Sequence, residues 1–192
     1  MNNALIANIS RFILLLAVQV LICNRMNLFG FINPFPYILF IILFPVNGNR
    51  YGLLVASFLL GLIMDMFWNS GGVHAMACIL LAYFRPSLFK FSFGLSYEYQ
   101  TVKLNDVLTP ERFSFILLAV VIHHLVLFSL EIFKVSLCDI LLRTVLTTIF
   151  TIISCIIIIY IIKPSKRLEK FCCLQLFSLL LFCLLFVCFT FK

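Results

Sequence analysis

Three histidines, His74, His123 and His124, and two acids close to them along the chain, Asp65 and Glu131, are the residues through which this sequence could do chemistry. Imidazole and carboxylate together suggest a metal site or a proton relay, and Glu131 lies two turns along the helical face of His124. The spacing argues against both. There is no HxxxH or HExxH arrangement, and neighbours such as His123 and His124 point about 100° apart on a helix. GxSxG, Walker-type and CxxC patterns are also absent. A transferase acting on lipid-linked precursors would want several acids or histidines near one interface, which Asp65, Glu131 and His124 approximate only poorly. The expectation is a protein that is not an enzyme and has no metal and no cofactor.

The elements that must position these residues are membrane helices. Of 192 residues 64% are hydrophobic and 11% charged, far from the roughly half-apolar, quarter-charged mixture of soluble domains. Several apolar runs approach the ~20 residues needed to cross a hydrocarbon core of about 30 Å. The formal charge of +7 does not point to nucleic acid, because Lys and Arg sit at the ends of apolar runs. Of the eight cysteines, Cys23, Cys78, Cys155, Cys183 and Cys188 lie inside apolar runs without paired spacing, which suits small polarizable filler. Arg11 and the run after it read as an uncleaved first helix, since no small-x-small cleavage site follows.

Breaks at charged and Pro/Gly clusters predict segments near 4–24, 35–46, 51–68, 72–90, 113–133, 139–162 and 171–191. The reading is an all-α bundle of about six membrane helices over 1–162, a basic linker at 163–170, and an additional apolar helix at 171–192. The second segment, bounded by Asn33-Pro34-Phe35-Pro36 and Pro45, is short enough to be tilted, half-depth or fused. A five-span core is the alternative, and it would invert the ends. With all six spanning and the N-terminus inside, the inner ends carry Arg50, Arg85, Lys90, Lys103, Arg112, Lys163, Lys166, Arg167 and Lys170, against only Arg25 and Lys134 outside. Thr109-Pro110-Glu111 suits the start of the fifth helix, with Thr as N-cap, Pro at the first position and an acid facing the dipole.

Ser57, Gly61 and Asp65 recur every four residues on the third helix, and Gly71, Ala75, Cys78 and Ala82 line the fourth. Two such small-residue faces predict a close antiparallel hairpin through the turn that contains Gly71 and Gly72. An acid within a membrane helix needs a partner. Arg143, at similar depth in the sixth helix, is one candidate for Asp65, but Asp139 competes for that arginine through an i,i+4 pair. Arg143, Thr147, Thr151 and Ser154 form a polar stripe expected to face the bundle interior as helix glue or a cavity wall.

Taken in order, these pieces resemble the rod shape-determining protein MreD family. Leu16-Ala17-Val18-Gln19-Val20-Leu21 is followed by Asn33-Pro34, Pro36-Tyr37 and Phe44-Pro45. Next come Phe58-Leu59-Leu60-Gly61-Leu62-Ile63-Met64-Asp65, a Gly-rich turn and His74-Ala75. The likeness runs over roughly 1–162 and is strongest in the first half; the apolar stretch at 171–191 departs from it. The resemblance implies a multi-pass protein of the bacterial cytoplasmic (inner) membrane. It would belong to the rod complex, directing peptidoglycan synthesis and cell shape with MreC-like and wall-synthesis membrane proteins and, directly or indirectly, an MreB-type actin-like filament. It also implies a fold similar to the substrate-binding subunits of energy-coupling-factor transporters. Gly61, Asp65, Gly72, His74 and Arg143 are then expected to serve packing or partner docking. Membrane lipid is a further expected partner, and nucleic acid is not expected. The rival expectation is a substrate-binding membrane subunit of a small-molecule, vitamin-type transporter.

Overall fold

Lipid offers no hydrogen bonds, so a chain this apolar is stable in a bilayer only if its backbone bonds to itself. In a computed structural model of the chain, residues 2–26, 33–46, 48–94, 109–131 and 137–162 are described, and among them the regular structure is entirely helical. The helices are α1 (Asn2–Leu21), α2 (Leu39–Leu43), α3 (Arg50–Trp68), α4 (Val73–Phe93), α5 (Pro110–Glu131) and α6 (Leu137–Ile162). Five stretches, Ile6–Arg25, Arg50–Trp68, Val73–Phe93, Pro110–Glu131 and Leu141–Ile161, are long and apolar enough to cross a membrane. The chain therefore has the character of a multi-pass helical membrane protein. The linker at 163–170, the apolar stretch at 171–192 with Cys183 and Cys188, the side chain of Asp139 and most of the loop at 91–112 lie outside the described residues.

Local chemistry sets the helix starts. Asn49 caps α3 by accepting from the Tyr51 amide at 3.0 Å. The fifth helix begins at Pro110, as its sequence predicts; the Thr109 carbonyl takes the Phe113 amide at 2.9 Å and Glu111 stands in the first turn. Pro86 does not end α4, which runs through it to Phe93.

Consecutive long helices α3 to α6 pack side by side, and α1 meets α3 and the segment 33–43. That segment is a broken element: irregular at 33–35, a 3-10 turn at Pro36–Ile38, then α2. Its eight helical residues cover roughly 12–16 Å, about half a hydrocarbon core. Every residue from 33 to 43 is buried, so non-helical backbone is shielded from lipid by protein. The sixth helix is the reverse of a soluble one. Leu141, Val145, Ile149, Ile153 and Ile157 face outward, while Thr144, Thr147, Thr148, Thr151 and Cys155 face in.

Candidate functional site

The turn between α3 and α4 concentrates the chemistry. Asn69, at φ 50°, closes α3 in the left-handed conformation, and Gly71 and Gly72 follow at φ 70° and 100°. Three left-handed residues in four reverse the chain at once, and glycine is the residue that adopts this backbone without strain. Gly72 occupies the N-cap position of α4 and has no side chain to cap it. Asp65 supplies the cap from the preceding helix: Oδ1 accepts the His74 amide and Oδ2 the Ala75 amide, both at 2.9 Å. Oδ1 also accepts from Ser70 Oγ at 2.5 Å and lies 3.1 Å from His74 Nδ1. A carboxylate in that position only accepts, so Nδ1 of His74 carries a proton.

Aspartate, histidine and serine thus meet within 3.1 Å, but not in the order of a hydrolytic triad. A triad places the acid on one imidazole nitrogen and the nucleophile on the other. Here Ser70 and Asp65 both address Nδ1, and the Ser70 hydroxyl donates to the carboxylate. Nε2 of His74 is buried without a hydrogen-bond partner, its ring stacked on Trp68 and edge-on to Phe35. The constellation fastens a turn.

Gly61 completes the hairpin. A Cβ there would come within 2.6 Å of the Ala75 nitrogen and the His74 carbonyl oxygen, so α3 and α4 cross in backbone contact at this point. Ser57, Ala75, Cys78 and Ala82 are buried along the same seam, as the small-residue pattern predicts; Gly71 is exposed and belongs to the turn instead.

Polar side chains hold the broken segment in place. Gln19 Nε2 donates to the Pro34 carbonyl at 3.2 Å and to Asn24 Oδ1 at 2.9 Å; that oxygen also accepts from Trp68 Nε1. Thr151 Oγ1 accepts the Phe35 amide at 3.1 Å. Tyr37 shares a 2.8 Å hydrogen bond with His123 Nε2, while Thr148 and Thr151 lie 3.2 and 3.5 Å from the two nitrogens of His124. At the other end Arg85 donates to the carbonyls of Ile42, in the last turn of α2, and of Phe44, its C-cap. His123 and His124 are fully buried, one facing Tyr37 and the other α6, because the fold wraps both sides of α5. Among the described residues no group of three or more His, Cys, Asp and Glu could hold a metal ion.

Three expectations are corrected. Asp65 does not meet Arg143: both carboxylate oxygens are taken by the α4 terminus, and Arg143 is exposed within electrostatic reach of Glu131. The inward stripe of α6 accordingly includes Thr147 and Thr151 but not Arg143; Thr144 and Thr148 join it. Arg85 is not an interfacial loop charge but a buried member of α4. Of the five residues expected to pack or dock, Gly61, Asp65 and His74 are interior, and Gly72 and Arg143 are exposed. Spacing rules do not single out Gln19, Tyr37, Ser70 and Arg85 as structural residues; a glutamine and an arginine inside apolar runs are the signal that the sequence offers for two of them.

No family model matches this chain, and no curated protein or solved structure matches it.

Proposed function

We propose that the chain is a non-enzymatic scaffold of a bacterial inner membrane. It would serve the rod elongation complex, positioning peptidoglycan synthesis through an MreC-like partner and an MreB-type filament. One observation carries the reading. The block through which the sequence resembles the MreD family, from Phe58 to Ala75, is a single fastened hairpin in which the Asp65 carboxylate, the Ser70 hydroxyl and Nδ1 of His74 are engaged with one another and with the α4 terminus. An acid and a histidine engaged in this way support a rigid element better than a reaction. Outward helix faces then remain for partners, among them the face around Phe58, Leu62, Met66 and Met76, which borders a shallow groove between α3 and α4.

The second reading, a substrate-binding subunit of a vitamin-type transporter, is favoured by the convergence of Trp68, His74, Tyr37, His123 and His124. Crosslinking pull-down of the tagged protein from native membranes, paired with depletion and cell-shape microscopy, separates the two. Recovery of MreC-like and wall-synthesis proteins with rounding of depleted cells is expected. Recovery of an ATPase and a coupling membrane subunit, with shape unchanged, would overturn the scaffold in favour of the transporter.

A further inference from the structure

At the end of the bundle opposite the Asp65 turn, a cavity of about 280 Å³ opens between the connection that follows α2 and the helices α3 and α4. Two arginines line it. Arg50, the first residue of α3, is exposed, while Arg85 is only 6% exposed, eight residues before the end of α4 and so about 12 Å from it. One terminal nitrogen of Arg85 reaches the carbonyls of Ile42 and Phe44, and the guanidinium lies over the Phe89 ring at 4.8 Å. Its Nε is buried with no hydrogen-bond partner. Among the described residues the carboxylates lie elsewhere: Asp65 caps α4, Glu111 stands at the start of α5 beside Arg112, and Glu131 is near Arg143. A buried guanidinium held only by carbonyls and an aromatic face keeps a large uncompensated charge.

We infer that this cavity binds a phosphate-bearing anion, with Arg85 as the buried anchor and Arg50, at the positive end of the α3 dipole, as the rim. Guanidinium groups match phosphate oxygens in paired hydrogen bonds, and a helix N-terminus adds partial positive charge in the same direction. The same end of the bundle carries Lys90 and Arg112, which would draw anionic headgroups toward the cavity mouth. The phosphate can come from an anionic phospholipid or from a soluble phosphate.

The test is thermal unfolding of the delipidated full-length protein in neutral detergent. It is titrated separately with phosphatidylglycerol, phosphatidylcholine and inorganic phosphate at constant ionic strength. A saturable rise of the midpoint with phosphatidylglycerol but not phosphatidylcholine is expected, and it assigns the site to lipid; a rise with inorganic phosphate alone supports the site and assigns it to a soluble ligand. Arg85→Lys keeps the charge but loses the fork, and Arg50→Gln removes the exposed rim without touching the core. Each should raise the half-saturating concentration about tenfold, the loss of one charge-assisted contact. If Arg85→Lys does not fold, Arg50→Gln carries the test alone. Equal response to both lipids with none to inorganic phosphate, or an unchanged half-point in the variants that fold, overturns the proposal.

Discussion

Replacing Asp65 by asparagine removes one carboxylate oxygen and leaves the shape of the side chain intact. The amide oxygen can stay where Oδ1 now meets Ser70 and His74, so the new NH2 group must confront the Ala75 amide, donor against donor. Loss of a hydrogen bond to a charged acceptor costs roughly 1.5–3 kcal/mol, and loss of a negative charge at a helix N-terminus about 0.3–1 kcal/mol. Hydrogen bonds within membrane bundles measure lower, about 0.6 kcal/mol on average, because the unfolded chain in lipid or detergent finds other partners. A working figure is therefore about 2 kcal/mol, up to about 30-fold in the folded-to-unfolded ratio. Asp65→Ala strands the His74 and Ala75 amides together and should cost roughly 3–5 kcal/mol. Unfolding of the purified protein by SDS in mixed micelles, followed by circular dichroism, reads both values. The reasoning fails if Asp65→Asn unfolds with the wild-type midpoint. It fails equally if Arg143→Asp restores the stability of Asp65→Lys, which would require the long-range ion pair that the geometry replaces.

Gly61→Ala should lower stability by about 2 kcal/mol through overpacking against α4, and SDS unfolding should find no side chain accommodated there. Gly72→Ala should cost about 1–3 kcal/mol from backbone strain alone, since no atom lies within 4 Å of its Cβ position; Gly72→Asn should recover part of that loss in the same assay, whereas Gly61→Asn should not. Tyr37→Phe leaves His123 Nε2 without its partner and should destabilise by about 1 kcal/mol; a midpoint equal to wild type would show that the hydrogen bond is not retained in detergent. Thr151→Val keeps the shape but strands the Phe35 amide, so hydrogen exchange at that amide should quicken more than in Thr147→Val, at a cost of about 1–3 kcal/mol. Arg143→Gln, at an exposed site, should change stability by less than about 1 kcal/mol.

Much of the fold is legible in order along the chain because lipid imposes a simple rule. Apolar runs of sufficient length become helices, and the five long ones lie close to where the hydropathy breaks put them. Small residues at steps of four foretell the α3–α4 seam, since only a face without bulk lets two backbones meet as they do at Gly61 and Ala75. The start of α5 is equally readable from Thr109-Pro110-Glu111, where the signals are local.

The partners of the polar residues are a different matter. Sequence alone establishes that Asp65 is an acid in an apolar helix and must be satisfied; depth along two helices suggests Arg143, but depth carries no information about azimuth. Tertiary structure decides for the nearest donors, because three left-handed residues turn α4 back so tightly that its own unpaired amides reach the carboxylate first. The segment 33–43 is legible as short and proline-bounded, yet only the packed bundle brings Gln19, Thr151 and Arg85 from three different helices to its backbone. Hydropathy can say that a residue is inside the membrane, whereas hydrogen-bond geometry inside the bundle depends on the rotation of each helix, which many weak side-chain contacts set together.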